Sequence, residues 1–207
     1  MAGESSSATA IRKKAPKPRT KPAEVRREEI LQAAASLFIA RGVNPTTIDE
    51  ITSQAEVAKG TFYLYFSSKE DLIAALRERF VQGFCARVRI AIDTSPEGDW
   101  NARLTSWIHA GVAAYLEDYQ LHDIVFHDYR PDQRRMKGDN PVVVDLSALL
   151  EAGAEAGIWS VDDSRLTAIV LFQGLHGAVD EAIEAGNRDG EALAAKLSDL
   201  FLKMLRP

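Results

Sequence analysis

Several features that would narrow the function of this 207-residue chain are missing from its sequence. Its single cysteine, Cys85, excludes an intramolecular disulfide and any metal site built from several cysteines. No apolar run reaches about 18 residues, so we expect no membrane-spanning helix. The basic N-terminal residues are not followed by an apolar stretch, so we expect no secretory signal. The absence of these three features predicts a cytoplasmic protein.

Motifs of catalysis are also missing. We find no nucleophile with an adjacent base, no glycine-rich phosphate loop and no clustered pair of carboxylates. The sequence therefore predicts a protein that is not an enzyme and that requires no cofactor. An all-helical enzyme that uses His and Asp side chains is the weaker alternative.

Charge is distributed unevenly along the chain, although the net charge is only −5. Residues 1–27 carry eight Lys/Arg and two Asp/Glu, a balance of +6. Residues 71–207 carry fourteen and twenty-two, a balance of −8. A basic front on an acidic body indicates that only the front approaches a polyanion.

The first 23 residues are rich in Ser, Ala, Pro, Lys and Arg and have almost nothing to bury. This composition predicts a disordered basic arm. The arm is either a solvated tail without a role or a source of extra phosphate or minor-groove contacts. Its candidate contact residues are the cations Arg12, Lys13, Lys14, Lys17 and Arg19.

The rest of the chain shows helical periodicity, without a convincing strand pattern, and predicts an all-α protein of about nine helices. The predicted helices are about Ala23–Arg41, a short one between Pro45 and Ser53, Ala58–Phe66, a long one that is capped by Ser67 or Ser68 and runs to about Asp93, Asp99–Asp118, Leu121–Tyr129, Val142–Ala156, Asp162–Ala185 and Glu191–Leu205. The fourth, at about 1.5 Å per residue, is roughly 35 Å long and can connect a small head to a separate body.

The two short helices near the N-terminus have the arrangement expected of a helix-turn-helix. Thr47 followed by Glu50 predicts a capping box at the start of the first. The second is too short to be stable alone, so Phe62 and Phe66 should anchor it on the preceding helices. In a helix-turn-helix the second short helix enters the major groove of DNA.

Three stretches carry a resemblance to a known family: ILQAAASLFIARG at residues 30–42, TTIDEITSQAEV at 46–57 and AKGTFYLYFSSKEDL at 58–72. In these residues, about a quarter of the chain, the sequence resembles the tetracycline-repressor-like (TetR) family of bacterial transcriptional regulators. The resemblance implies a homodimer whose first three helices bind DNA. It further implies that the remaining helices bind a ligand and that the last two pair with those of the partner subunit.

The resemblance and the side-chain chemistry together predict a DNA-binding set. Lys59, Gly60, Thr61 and Tyr63 should face the major groove and read sequence. The other members are expected to contact phosphates, which position a protein without choosing sequence. This second group consists of Thr46, Thr47, Tyr65 and Lys69.

The acidic body contains bulky aromatic residues mixed with histidines, a composition that suits an apolar pocket with a few polar handles. The predicted ligand-binding residues are Trp107, Tyr115, Tyr119, His122, Phe126, Phe172 and His176. Plain core packing is the alternative for each of them. We predict no metal site, because His122 and His127 are five residues apart and do not share one helix face well.

Small and apolar residues near the C-terminus favour helix pairing between two subunits. The predicted dimerisation residues are Leu171, Gly174, Leu175, Ala178, Leu197, Leu200, Phe201 and Met204. The alternative is that both helices bury these faces inside one subunit.

The sequence therefore predicts three parts: a basic arm (1–23), a helix-turn-helix head (24–70) and a ligand-binding and dimerisation body (71–207). The expected function is a ligand-responsive transcriptional regulator, most simply a repressor, that binds a palindromic operator in double-stranded DNA as a homodimer in the bacterial nucleoid. A small-molecule effector, which the sequence does not identify, would release it. An activator, or a DNA-binding protein without a ligand, would have the same head.

Overall fold

The computed structural model describes residues 22–128 and 140–206, and these residues form eight α-helices and one π-helical segment, with no strand among them. The helices are α1 (Ala23–Arg41), α2 (Ile48–Gln54), α3 (Lys59–Phe62), α4 (Lys69–Asp93), α5 (Trp100–His122), α6 (Pro141–Glu155), α7 (Ser164–Glu184) and α8 (Gly190–Met204). The all-α prediction is confirmed. The expectations for the basic arm, apart from its last two residues, and for the side chain of His127 lie outside the described residues.

Two predicted helices differ from the structure. The separate helix expected at Leu121–Tyr129 is wrong, because α5 continues to His122 and then widens into a π-helix at Asp123–Asp128. No glycine or proline stands near Asp118 to end the helix. The helix expected at Ala58–Phe66 is also shorter, because Leu64 and Tyr65 donate their amides to carbonyls three residues back and tighten the chain into turns.

The head is formed by α1, α2 and α3, which pack around one apolar core with the first turns of α4. Phe62 and Phe66 are buried in this core, as predicted, and their rings lie 5.6 Å apart. They contact a cluster that includes Ile30, Phe38 and Ile51. These aromatic anchors hold the four-residue α3 on the head, because a helix of this length has no stability of its own.

The body contains a second core, formed by α5 to α8 and the later turns of α4. Helix α4 therefore belongs to both cores: Leu72 and Leu76 are buried in the head, whereas Phe84 and Val88 are buried in the body. By packing, the head extends to Leu76, a few residues beyond the boundary expected from the sequence.

The π-helical segment makes a second connection between body and head. Val125 is fully buried in the head core, and its carbonyl oxygen accepts a hydrogen bond from Nε of Arg77 on α4. The Arg77 guanidinium also lies 5.8 Å from the centre of the Phe126 ring. The end of α5 is thus tied both to the head core and to α4.

Helix α7 is long and apolar enough, by length and composition alone, to cross a membrane, with a mean hydropathy of 1.2 over an 18-residue window. In the structure it packs on α5, α6 and α8 through Leu171, Phe172, Leu175 and Val179. Only 28% of that window is buried, and the exposed residues of α7 include Leu166, Ile169 and Val170.

The packing of α6 allows one test of the body core. A Cβ atom added at Gly153 would lie 2.2 Å from the ring of Trp159, which is buried in the body core. We expect Gly153→Ala to lower the free energy of unfolding by about 1–3 kcal/mol, the usual range for overpacking, in urea denaturation.

Gly83→Ala is the matched control. Gly83 is also helical, but an added Cβ there meets nothing within 4 Å. The same methyl group should therefore raise stability by up to about 1 kcal/mol through helix propensity. Equal effects of the two substitutions would contradict this picture of the α6 packing.

Candidate nucleic-acid interface

The start of α2 is fixed by the capping box expected from the sequence. Oγ1 of Thr47 accepts a hydrogen bond from the Glu50 amide at 3.3 Å, and Oε2 of Glu50 accepts one from the Thr47 amide at 2.8 Å. The Thr47 amide and hydroxyl both donate to Oε2 of Glu50 and, with the nearby Arg41 guanidinium at 3.0 Å, hold the pKa of the Glu50 carboxyl below its ordinary value. The cap fixes where α2 begins and therefore where the turn delivers α3.

Helix α3 presents a small exposed face next to its buried anchor. Gly60 is exposed and has no atom within 4 Å of the place a Cβ would occupy. Thr61 is half-buried, and Tyr63 at the end of the helix is 51% exposed. The Tyr63 ring stands edge-on against Phe62, with ring centres 5.4 Å apart. A rigid aromatic side chain is therefore held beside a bare stretch of backbone.

Lys59 opens this face but already has a partner. Its Nζ lies 2.8 Å from Oδ1 of Asp49 on α2, and the hydrogen bond with this carboxylate raises the pKa of Lys59. Both side chains are more than half exposed, so the ion pair is worth little and exchanges easily with a phosphate or a base edge. Lys59 is thus oriented along the head surface without being sequestered.

Two of the expected phosphate contacts are engaged inside the head. The Lys69 ammonium donates to the carbonyl oxygens of Val43 at 2.9 Å and Thr46 at 3.0 Å, closing the turn between α1 and α2. Thr46 is buried, and its hydroxyl donates to the Gly42 carbonyl at 2.8 Å. Their hydrogen bonds stabilise the head, so a phosphate contact by either residue remains a prediction that would require breaking them.

The other two expected phosphate contacts have different surroundings. Thr47 is exposed, with its hydroxyl engaged in the cap of α2. Tyr65 is half-buried against the head core. Leu64, between the two tyrosines, is 79% exposed and was missed by the sequence reasoning. The sequence feature that could have indicated it is an apolar residue between two tyrosines, just after a short helix, where no neighbouring helix covers it.

The head as described is not basic. Residues 22–70 contain five Lys/Arg and seven Asp/Glu, a net charge of −2, whereas residues 1–21 contain six Lys/Arg and one Glu, a net charge of +5. The positive balance found at the front of the chain therefore comes from the arm.

Five of the seven predicted ligand-binding residues meet in one aromatic cluster of the body. The Tyr115 ring lies 4.2 Å from His122 and 4.7 Å from His176, and Phe172 lies 4.4 Å from His176. Phe126 stacks on His122 at 4.8 Å and joins this cluster to the π-helical segment. The Tyr115 hydroxyl donates to Oδ1 of Asp180 at 2.5 Å; burial and this carboxylate raise the pKa of Tyr115, so it stays a neutral donor.

The remaining two predicted ligand-binding residues lie elsewhere. Trp107 packs in the body core beside α4 and α6, where it lines a separate cavity with Val88 and Leu149. The Tyr119 ring lies under the Arg188 guanidinium, 4.6 Å from its centre, near the turn between α7 and α8. The seven predicted residues therefore do not line one common space, and their role in ligand binding stays a prediction. Among the described residues no group of three His, Cys, Asp or Glu side chains is arranged to hold a metal ion.

The predicted dimerisation residues separate into two groups. Four of them are buried within the core of one subunit and cannot face a partner as they stand: Leu171, Leu175, Leu197 and Phe201. Gly174, Leu200 and Met204 are exposed, and Ala178 is half-buried. An added Cβ at Gly174 would lie 3.4 Å from the Phe201 ring, so α7 and α8 of one subunit approach each other at this glycine. Sequence reasoning missed three exposed apolar residues of α7: Leu166, Ile169 and Val170.

The sequence of the head is similar to a known family of proteins. Residues 30–76 match the family model of bacterial regulatory proteins of the tetR family. The match runs from the core of α1 through α2 and α3 to Leu76 of α4, and it includes every buried residue of the head core except Val125.

The relatives include both a transcriptional activator and a transcriptional repressor. The chain is 33% identical over 109 residues to the transcriptional activator FasR of Mycolicibacterium smegmatis, and the match covers 52% of this chain and 49% of FasR. It is 36% identical over 70 residues to the transcriptional repressor KstR2 of Mycobacterium tuberculosis, which covers 34% of this chain and 35% of KstR2. The chain thus spans about half and about a third of these two relatives.

The fold extends over the whole body. The structure of the regulator FadR from Bacillus subtilis in complex with stearoyl-CoA superposes with a TM-score of 0.73 at 22% identity, covering 84% of this chain and 97% of that chain. At this identity the likeness establishes the helical architecture alone.

Proposed function

We propose that this chain, a TetR-like transcription regulator, acts as a ligand-responsive repressor that binds a palindromic operator as a homodimer. The observation that carries the proposal is the exposed face of α3, where bare backbone at Gly60 adjoins Thr61 and the rigid Tyr63 ring. Such a face is poorly suited to a protein core and well suited to the major groove, where a helix approaches base edges closely.

Each residue of this face has a separate role in the proposal. Gly60 allows the backbone to approach the duplex, since no side chain stands in between. Thr61 contacts a phosphate or a thymine methyl group, and Lys59 leaves Asp49 to reach a guanine or a phosphate. Tyr63 packs along the sugar-phosphate backbone, with the exposed Leu64 next to it.

Gly60→Ala tests the close approach. The substitution should leave the free energy of unfolding unchanged or raise it by up to about 1 kcal/mol, because the added methyl group meets no atom in the free protein. On DNA the methyl group would separate the backbone from the duplex, and we expect affinity to fall about ten-fold, equivalent to about 1.4 kcal/mol. The measurement is fluorescence anisotropy with a duplex selected from a random pool by the native protein.

Gly83→Ala serves as the control, since it adds the same methyl group to α4 away from α3. It should bind the selected duplex as the native protein does. Equal affinity of Gly60→Ala and the native protein would remove Gly60 from the interface.

The arm contributes the electrostatic part of binding in this proposal. With a net charge of −2 in residues 22–70, the head relies on cations outside it to release counterions from DNA. The arm is directly joined to α1, whose first turn lies at the start of the head. We therefore assign the sequence-independent part of the affinity to the arm.

Neutralising the arm tests this division of roles. Replacing its six cations by serine should weaken binding to selected and unselected DNA alike. It should also reduce the slope of log K against log salt by about 0.9 for each phosphate that the arm no longer neutralises. The substituted residues are Arg12, Lys13, Lys14, Lys17, Arg19 and Lys21. An unchanged slope would mean that the arm is a solvated tail.

The dimer in this proposal uses the exposed apolar strip formed by Leu166, Ile169, Val170, Leu200 and Met204 on α7 and α8. A strip of this kind is unfavourable in water and is covered when a second copy of the same surface packs on it. Two heads joined in this way would present their α3 helices to successive turns of DNA, about 34–36 Å apart. The operator is therefore expected to be a palindrome.

Val170→Glu places a charge in the middle of this strip and should convert the dimer into a monomer in sedimentation analysis, with a loss of affinity for the palindromic duplex. Ile90→Glu is the control, because Ile90 on α4 is also an exposed apolar residue, at 66%, but lies outside the strip. The control should remain a dimer. A monomeric native protein, or a dimer that survives Val170→Glu, would exclude this interface.

The regulation in this proposal depends on a small-molecule effector bound in the body. Because α4 is packed into both cores, an effector that favours one arrangement of the body also shifts the spacing of the two heads. FadR of Bacillus subtilis, which shares the fold, is a regulator with stearoyl-CoA bound. An activator is the second candidate, since FasR is one. The expected location is the bacterial cytoplasm, on DNA.

A further inference from the structure

Leu64 is the most exposed large apolar side chain among the described residues, at 79%, and it lies two residues after the end of α3. Its amide donates to the Thr61 carbonyl at 3.2 Å, so the chain leaves α3 with the tighter winding in which side chains three residues apart stand one above the other. Leu64 therefore lies on the same side as Thr61, whereas Phe62 and Phe66 are buried in the head core. Its side chain is available to a partner that approaches α3.

The side chains around α3 restrict how a base pair can be read. Residues 58–66, AKGTFYLYF, contain no Arg, Asn, Gln, Asp or Glu, the side chains that most often pair with the hydrogen-bonding edges of guanine, adenine and cytosine. Lys59 and the Thr61 hydroxyl are the exceptions, and the Lys59 ammonium lies 2.8 Å from the Asp49 carboxylate. In the major groove an apolar side chain can contact the C5 methyl group of thymine, the one methyl group that the four bases present there.

We propose that Leu64 is a specificity-determining residue that contacts the C5 methyl group of a thymine in each half of the operator. The contact removes two apolar surfaces from water, the Leu64 side chain and the methyl group, and this burial favours thymine over cytosine at that position. The inference rests on the function proposed above, and it adds the chemical group that one position of each half-site must carry.

Deoxyuridine tests the contact, because it pairs as thymidine does and lacks only the methyl group. The native protein first selects a duplex from a random pool, and each thymine of this duplex is then replaced in turn by uracil. We expect one position in each half-site at which the replacement weakens binding about four-fold, the effect of one buried methyl group. Fluorescence anisotropy of the labelled duplexes gives the affinities.

Leu64→Ala removes the apolar side chain and should weaken binding to the selected duplex at least about four-fold. The variant should no longer distinguish thymine from uracil at the sensitive position, because the methyl group has lost its contact. The protein and DNA changes together should therefore weaken binding no more than Leu64→Ala alone, the non-additivity expected of two groups in direct contact. Leu64→Met keeps an apolar side chain of similar volume and should retain the dependence on the methyl group.

Ile90→Ala is the matched control, because Ile90 is also an exposed aliphatic residue, at 66%, but lies on the part of α4 that packs in the body. It should bind the selected duplex as the native protein does and keep the full dependence on the methyl group. Urea denaturation should give Leu64→Ala the unfolding free energy of the native protein, since an exposed side chain contributes little to the head core. A change in DNA affinity is then not a change in folding.

Three results would overturn the proposal: native affinity after every thymine has been replaced in turn, native affinity in Leu64→Ala, or undiminished sensitivity of Leu64→Ala to uracil. The last result would assign the methyl contact to another residue, such as Thr61. Failure of the native protein to select any duplex would contradict the regulator function and this inference together. A native protein that selects a duplex but gives one of the three results keeps the regulator function and loses only the role of Leu64, so the two failures are distinguishable.

Discussion

The helix α4 is the constraint on which the rest of the molecule depends, because one continuous rod supplies side chains to two separate apolar cores. Leu72 and Leu76 are inaccessible in the head, and Phe84 and Val88 are buried in the body only two turns later. Neither core can change the direction of its segment of α4 without affecting the other. At about 1.5 Å per residue the helix is about 37 Å long, so a small rotation in the body becomes a displacement of several ångströms at the head.

The π-helical segment is a second connection between the head and the body, in addition to α4. Val125 is buried in the head core, and Phe126 both packs against that core and stacks on His122 of the aromatic cluster. The segment therefore connects the head core to the aromatic cluster. With the bond from Arg77 to the Val125 carbonyl, the head is held at two points, and a ligand that rearranges the body acts on both.

Much of the architecture could be predicted from the sequence because it is encoded locally. Helical periodicity, the Thr47–Glu50 cap and the aromatic anchors Phe62 and Phe66 depend on residues close together in the chain. The role of Lys69 could not be predicted, since its ammonium bonds to carbonyls 23 to 26 residues earlier. The same holds for the aromatic residues of the body, which look alike in the sequence. Only tertiary packing places Trp107 beside a cavity, Tyr119 under the Arg188 guanidinium and Phe172 in the aromatic cluster.

The charge of the head constrains how DNA recognition can work. With a net charge of −2 in residues 22–70, the head gains little long-range attraction to a polyanion from its own net charge. In the function proposed above, sequence selection therefore depends on short-range contacts. The exposed backbone at Gly60 and the Tyr63 ring, which is held against Phe62, are uncharged groups in fixed positions that can make such contacts. In the function proposed above, phosphate contacts of the arm stabilise every DNA complex equally, so the groove contacts of α3 decide between sequences.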